Sequence, residues 1–164
     1  MANSLLVEGL TLSVLTLDDL AALHRIFSDP DTHAIGNGSV RDVGVTHAWL
    51  QRREQRRQET GVTWYGIRDS SGVMIGNVGI FMGRTDPHPE LGFEIRKAWQ
   101  RQGYGRAAAR AVVEEAHRAG FEEVWATVRQ WNIGSRRALD AIGFRRDHVE
   151  RDDRSELIYL HHRT

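Results

Sequence analysis

The chain has 164 residues, and its 22 Lys and Arg balance 22 Asp and Glu, so the formal net charge is +0. This length is typical of one domain, and we expect a single domain over residues 1–164. The charge balance argues against a dedicated nucleic-acid-binding protein, which needs a basic excess. The sequence contains no cysteine, which excludes disulfides, thiolate catalysis and cysteine-bound metals.

The sequence carries no recognisable signal for secretion or membrane insertion. Residues 1–10 have neither a basic start nor a long apolar run. The longest mostly apolar stretch, residues 73–83, is too short to span a bilayer. We therefore expect a cytoplasmic protein with no membrane partner.

The first part of the chain predicts one strand and two helices. Residues 9–15 alternate apolar and polar side chains, which is typical of a strand. Thr16 is the predicted N-cap of a helix that ends before Pro30. Residues 30–44 predict a loop, and a second helix is expected over residues 45–59.

Three strand patterns follow in close order. They cover residues 62–68, 73–82 and 90–96. Turn signals at residues 69–72 and 86–89 separate them. Because short turns join neighbouring strands, we expect an antiparallel meander.

The last part of the chain alternates helices and strands. Helices are expected over residues 105–118 and 133–142, and strands over residues 123–128, 144–149 and 157–160. A strand, a helix and a further strand in succession favour a parallel crossover. The predicted fold is α/β in the mixed α+β sense. Its central twisted sheet is mostly antiparallel, with one β-α-β crossover and about four flanking helices.

The loop between the third meander strand and the next helix points to a ligand. Gly103 and Gly105 allow a tight turn in which successive N–H groups point at one place. The helix that follows adds the positive end of its dipole, and Arg101 and Arg106 add charge. These features together suit a pyrophosphate.

Two other interpretations of this loop remain open. The first is an ordinary strand-to-helix loop without a ligand. The second is a dinucleotide fingerprint, because Gly103, Gly105 and Ala108 fit the pattern G-x-G-x-x-A. Arg129 and Gln130 follow the next strand, where that fingerprint requires an acidic residue. The dinucleotide interpretation is therefore the weaker of the two.

Four segments resemble the GCN5-related N-acetyltransferases, the GNAT family. Residues 100–105 match Q-x-x-G-x-G, and residues 132–144 read N-x-x-S-x-R-x-L-x-x-x-G-F, which is similar to the second signature of the family. Residues 75–79 and 90–93 resemble meander strands of the branch that acetylates the N-termini of ribosomal proteins, such as the ribosomal-protein-alanine N-acetyltransferases. The resemblance covers about residues 8–160.

This resemblance implies transfer of an acetyl group from acetyl-CoA to a primary amine by direct attack. The acceptor would be a protein N-terminus or a small-molecule amine, and a homodimer is compatible with the resemblance. Another acyl-CoA, such as succinyl-CoA, remains an alternative donor. A non-catalytic module that binds or senses acyl-CoA is an alternative of a different class.

The resemblance also assigns residues to coenzyme A. The loop amides would hold the pyrophosphate, Asn132 would bind the pantetheine, and main-chain groups of residues 93–95 would place the thioester carbonyl. The implied CoA-binding set is Phe93, Glu94, Ile95, Gln100, Arg101, Gln102, Gly103, Tyr104, Gly105, Arg106, Asn132 and Ser135. No metal is expected, since the histidines lack the spacing of metal ligands.

Acetyl transfer to an amine needs one group that accepts a proton and one that donates a proton. Glu90 and Glu94 lie on the same face of the predicted strand, and the resemblance favours Glu90 as the base. Either carboxylate could instead be a solvated surface group. Leu139 stands where many family members have a tyrosine that acts as the general acid. The resemblance then points to Ser135 as the acid. A helix-start hydroxyl is the alternative role of Ser135.

Two weaker signals concern the acceptor. Four arginines crowd the second predicted helix, Arg52, Arg53, Arg56 and Arg57. Such a run is usually a solvated face, and contact with an acidic substrate is the alternative. Three tryptophans are candidates either for a substrate cleft or for the core, Trp49, Trp64 and Trp131.

Overall fold

The computed structural model describes residues 1–33 and 38–164. Within these residues eight strands form one sheet, and four α-helices pack against it. The strands are β1 (Ser4–Val7), β2 (Leu10–Val14), β3 (Trp64–Arg68), β4 (Met74–Met82), β5 (Pro89–Ile95), β6 (Glu123–Arg129), β7 (Arg145–Asp152) and β8 (Ser155–Arg163). The helices are α1 (Leu20–Phe27), α2 (Val43–Thr60), α3 (Tyr104–Arg118) and α4 (Ile133–Ala141).

The sheet confirms the predicted mixed α/β topology. Its strand order is β1-β2-β3-β4-β5-β6-β8-β7, and every neighbouring pair is antiparallel except β5 and β6. The parallel pair is joined through α3, as expected for a crossover. Glu90 opposite Trp125 is the one register pair between these two described strands. Beyond it β5 and β6 separate, and the gap between them positions the candidate site.

Two clusters of buried side chains hold the helices to the sheet. The larger one joins strands to α3 and includes Tyr65 and Val112, whereas the smaller one joins α1 and α2 and includes Leu23 and Leu50. Trp64 packs on the smaller cluster, although its neighbour Tyr65 belongs to the larger one. Because successive strand residues point to opposite faces, α3 covers one face of the sheet and α1 and α2 cover the other.

The N-terminal part of the chain differs from prediction at two places. The strand β1 was not predicted, and it pairs with β2 across a turn in which Glu8 and Gly9 have positive φ. Helix α2 begins two residues before the predicted start, because the Asp42 side chain accepts a hydrogen bond from the Gly44 amide at 2.8 Å. Residues 34–37 of the predicted loop lie outside the described residues.

The two last strands are present but longer than predicted. The connection expected over residues 150–156 is mostly strand, since β7 runs to Asp152 and β8 starts at Ser155. Most of β7 is exposed, which is why its charged sequence does not show the alternation of a half-buried strand. None of the described helices has the length and apolar character needed to cross a bilayer.

Candidate active site

Two cavities open where β5 and β6 separate. The loop cavity, of about 470 Å³, lies beside the loop before α3 and the start of α4. The aromatic cavity, of about 380 Å³, is walled by α2, the meander and residues 154 and 157 near the β7–β8 turn. Five residues line both cavities: Thr32, Phe93, Glu94, Asn132 and Ser135. We call this shared set the junction.

Unpaired amides border the loop cavity. The Ala107 amide donates to the Gly103 carbonyl at 3.0 Å, which is the first hydrogen bond of α3. The amides of Tyr104, Gly105 and Arg106 precede it and have no acceptor inside the helix. Gly103 has a φ of +86°, a left-handed conformation that glycine adopts without strain. The loop therefore presents a set of donors suited to an anion.

The loop cavity is also positively charged. Arg101, Arg106 and Arg137 line it, and no carboxylate of a described residue forms an ion pair with any of the three. Guanidinium groups without partners bind phosphate oxygens well. Arg137 lies within the second sequence signature, but it was not among the predicted CoA-binding residues.

The loop cavity brings together the predicted CoA-binding residues except Gln102. Gln102 is exposed, and its side-chain amide donates to the Ala98 carbonyl at 3.4 Å. The Gln100 side chain donates to the Ile95 carbonyl at 2.9 Å and so ties the loop to β5. Sequence reasoning missed other residues that line this cavity, namely Thr32, Trp99, Gly134, Arg137 and Ala138.

The substitution Gly105→Val tests the assignment of the loop. A Cβ at this position would lie 3.3 Å from Ile95 Cγ1 and 3.5 Å from the Phe93 ring. The branched side chain would therefore push β5 away from the loop, and we expect the Kd for CoA to rise by about tenfold or more. Calorimetry on a variant shown to be folded measures this, and an unchanged affinity would remove the loop from CoA binding.

Glu94 lies at the junction and forms a hydrogen bond with His33. Its carboxylate accepts hydrogen bonds from Asn77 Nδ2 at 2.8 Å and from His33 Nδ1 at 2.7 Å. The His33 ring packs on Phe27, with ring centres 4.7 Å apart. The hydrogen bond to Glu94 raises the pKa of His33 above its ordinary value, although partial burial opposes the shift. Since a carboxylate only accepts, Nδ1 carries the hydrogen and Nε2 is left to exchange a proton.

Glu90 differs from Glu94 in its burial and in its hydrogen-bond partners. It lines the aromatic cavity with Glu94, as expected for two residues on one face of β5, but it does not reach the loop cavity. Only 3 % of its surface is exposed. Its carboxylate accepts hydrogen bonds from Thr127 Oγ1 at 2.5 Å and from the Arg84 amide at 3.0 Å. Buried acceptors need such donors, so these contacts give Glu90 a structural role whether or not it also acts as a base.

Asn132, not Ser135, caps α4. Asn132 Oδ1 accepts from the Ser135 amide at 3.2 Å, and Asn132 Nδ2 donates to Ser135 Oγ at 3.0 Å. The Ser135 hydroxyl thus accepts from Asn132 and keeps its own proton for another acceptor. Leu139, on the same helix, is buried and lines the aromatic cavity without a polar group.

The substitution Ser135→Ala separates a catalytic hydroxyl from a structural one. It leaves the cap between Asn132 Oδ1 and the residue 135 amide intact. We expect a loss of stability of about 1 kcal/mol or less and, if the hydroxyl donates a proton, a clear fall in kcat. Melting and turnover measured on one sample decide this, and a fully active variant would remove Ser135 from the mechanism.

In the aromatic cavity, the Trp64 ring packs against two glycines, Gly79 and Gly92. A Cβ at Gly79 would lie 2.5 Å from Trp64 Cδ2, and a Cβ at Gly92 would lie 2.8 Å from Trp64 Cη2. These two glycines face each other across β4 and β5, so the indole rests on bare backbone. Of the three tryptophans considered from sequence, Trp49 and Trp64 line the cavity, whereas Trp131 is exposed and does not.

Among the described residues, no group of three or more His, Cys, Asp or Glu side chains is arranged to hold a metal ion. The polar side chains of the junction are the Glu94 carboxylate, which accepts a hydrogen bond from His33, the Asn132 amide, and the hydroxyls of Thr32 and Ser135. Such groups can orient a reactant and exchange protons with it.

Comparison with known proteins agrees with this architecture. Residues 9–145 match the family described as Acetyltransferase (GNAT) domain. Similar structures include a GnaT-family acetyltransferase from Bordetella pertussis, with a TM-score of 0.87, 20% identity and coverage of 98% of this chain and 99% of that one. The ribosomal-protein-S5-alanine acetyltransferase of Vibrio fischeri has a TM-score of 0.83 and 15% identity, over 98% and 96% of the two chains.

A third similar structure was solved with a ligand. The acetyltransferase yncA of Salmonella typhimurium, with its cofactor acetyl-CoA, has a TM-score of 0.75 and 23% identity, over 95% of this chain and 94% of that one. At these identities the structures support the fold, and the family match extends over most of the sequence. The chain belongs to the GNAT family of acetyltransferases.

Proposed function

We propose that this protein transfers the acetyl group of acetyl-CoA to a primary amine by direct attack, without a covalent enzyme intermediate. The observation that carries the proposal is the meeting of two different cavities at one junction. One cavity has the donors and charge for a pyrophosphate, and the other has carboxylates for an ammonium group. The donor and the acceptor would therefore approach the same point from opposite sides, as direct transfer requires.

The residues of the loop cavity fit coenzyme A. The amides of residues 104–106, with Arg101 and Arg137, would bind the pyrophosphate. Bound acetyl-CoA supplies an acyl group on a thioester, which an uncharged amine can attack. The edge of β5 beyond Glu90 is not paired with β6, so main-chain groups of residues 93–95 on that edge would orient the carbonyl, except the Ile95 carbonyl, which accepts a hydrogen bond from Gln100.

The proton of the incoming ammonium would go to the pair formed by Glu94 and His33. With His33 neutral, Nδ1 donates to Glu94 and Nε2 accepts the proton, after which the carboxylate stabilises the imidazolium. We prefer this pair to Glu90 because Glu94 lies at the junction. The assignment of Glu90 from sequence stays a prediction, and the same set of variants tests it.

The departing thiolate would take a proton from Ser135. The hydroxyl lines both cavities, and Asn132 Nδ2 orients it by donating to its oxygen at 3.0 Å. Leu139 has no proton to give, so Ser135 is the donor that α4 offers at the junction.

Thiol release tests the proposed function. Acetyl-CoA is incubated with a panel of small primary amines and with short peptides that have free N-termini, and the amine products are identified by mass. We expect thiol release that depends on the amine and matches the acetylated product. Tight CoA binding without such release would instead support the non-catalytic alternative. Succinyl-CoA in parallel shows whether acetyl is the preferred group.

A further inference from the structure

Arg53 of α2 reaches into the aromatic cavity. Its guanidinium carbon lies 4.8 Å from the ring centre of Trp49 and 5.5 Å from those of Trp64 and Phe81. Cations are attracted to aromatic faces, so the three rings hold the guanidinium in place at the wall of the cavity. From sequence, the arginine run that contains Arg53 was interpreted as a solvated face, with contact with an acidic substrate as the alternative. The structure separates Arg53 from its exposed neighbours Arg52 and Arg56.

The charge of Arg53 is not compensated by the part of the chain that the structure describes. Its Nε is buried and has no hydrogen-bond partner there, and the same is true of Trp64 Nε1. By contrast, Arg129 in the same cavity binds both carboxylate oxygens of Asp152, each at 2.6 Å. Burial, together with the nearby positive charges of Arg52 and Arg56, lowers the pKa of Arg53 to about 10.

A guanidinium group that lines a cavity and has no ion-pair partner among the described residues needs an explanation. A buried cation or N–H group costs free energy unless an acceptor satisfies it. A bound carboxylate would supply two acceptor oxygens and one negative charge. Glu90 and Glu94 on β5 line the same cavity, and their carboxylates attract an ammonium group.

We infer that Arg53 binds a carboxylate of the acceptor, so that the acceptor is a primary amine that also carries a carboxylate. This inference rests on the proposed function and names its substrate class. The ammonium end points to β5, the carboxylate end points to α2, and the apolar part between them lies against Trp64 and Phe81. The carboxylate belongs either to a small amino acid or to an acidic side chain near a peptide N-terminus.

Matched pairs of probes test this inference by binding. The small probes are β-alanine, γ-aminobutyrate, ε-aminocaproate and para-(aminomethyl)benzoate, each compared with its amide. The peptide probes are Ala-Glu-Ala and Ala-Gln-Ala with amidated C-termini. Calorimetry with the CoA-loaded protein measures each Kd. We expect at least one acid to bind about 10-fold to 100-fold more tightly than its amide, and the favoured set identifies the source of the carboxylate.

The variant Arg53→Met and its control Arg52→Met show whether the preference for the acid over its amide depends on Arg53. Methionine keeps an unbranched side chain and removes the charge, and Arg52 is an exposed neighbour on the same helix. We expect the preference for the acid to disappear in Arg53→Met and to persist in Arg52→Met, while the Kd for CoA stays unchanged in both. If Arg53→Met does not fold, Arg53→Lys replaces it, and we expect a reduced preference because the planar fork is lost.

The inference is wrong if the wild type binds no acid more tightly than its amide, or if Arg53→Met keeps the full preference. Thiol release with the same probes separates this result from failure of the proposed function. Equal acetylation of an acid and its amide would contradict the carboxylate site and leave acetyl transfer intact. A preference for the acid in binding without any acetylation would contradict acetyl transfer to these amines and leave the carboxylate site intact.

Discussion

Replacement of Glu94 by glutamine is expected to lower kcat by about 10²-fold to 10⁴-fold, the usual contribution of a positioned general base. The amide keeps the size of the carboxylate, but it cannot stabilise a protonated His33. The Kd for CoA should change little, because the loop amides and arginines remain. Steady-state turnover together with calorimetry measures both quantities.

Glu90→Gln is the matched control, since it makes the same chemical change four residues away on the same face of β5. It disturbs the hydrogen bonds from Thr127 and the Arg84 amide, so a loss of stability is expected with a smaller loss of kcat. If Glu90→Gln abolishes turnover and Glu94→Gln does not, the base is Glu90 and our preference is wrong. His33→Gln should reproduce the effect of Glu94→Gln.

The pH profile reports on the same pair. The pKa of His33 is raised because Glu94 stabilises its protonated form, so the imidazole becomes an effective base only as the pH rises through that raised pKa. We expect kcat/KM of the wild type to increase through this ionisation. In Glu94→Gln the ionisation should move to lower pH, because burial then acts without the opposing carboxylate.

The His33–Glu94 contact makes stability change with pH in the direction opposite to activity. A raised pKa means that the His33–Glu94 contact stabilises the fold most strongly below the ordinary pKa of histidine, near 6.5. That contribution is lost as the pH rises through the raised value. Protein that becomes more active and slightly less stable over the same pH range would match this account.

The substitution Gly79→Ala is expected to give a large loss of stability. Its Cβ would lie 2.5 Å from Trp64 Cδ2 and 2.7 Å from the Thr63 carbonyl, so the indole or the backbone has to move. Overpacking of this kind costs about 1–3 kcal/mol, and each kcal/mol lowers the Tm of a domain this size by about 2–4 °C. Because Trp64 lines the aromatic cavity, the KM for the amine should also rise.

Gly134→Ala is the control for stability. It lies in α4, and its Cβ would approach Asn132 Oδ1 only to 4.0 Å. Alanine is favoured over glycine inside a helix, so a neutral or slightly higher Tm is expected. An equal loss of Tm in both variants would show that contact with Trp64 is not the cause.

Local sequence signals were sufficient to predict the meander, the crossover and the position of the glycine loop before α3. Turn residues and the change from strand to helix periodicity mark β3 to α3, and the glycines of residues 103 and 105 mark the loop. The strand β1 was missed because its four residues carry a weak alternation on an exposed edge. β7 was predicted too short because its exposed, charged residues show no buried face.

The aromatic cavity was harder to predict because its contacts join distant parts of the chain. His33 and Glu94 are 61 positions apart, and neither segment contains a pattern that pairs them. Arg53 lies in a run of arginines, and only the folded chain shows which of them turns toward Trp64 and Phe81. Periodicity indicates which face of a helix is buried, but it does not identify the cavity that the face lines.

The central claim is that acetyl-CoA binds in the loop cavity with its acyl group at the junction. The position of the acyl group tests this claim most directly. A crystal structure with an unreactive thioether analogue of acetyl-CoA measures it. Our account predicts the pyrophosphate against the amides of residues 104–106 and the acyl carbonyl at the junction, between Glu94 and Ser135. A pyrophosphate bound away from these amides, or an acyl end that lies outside the junction, would contradict it.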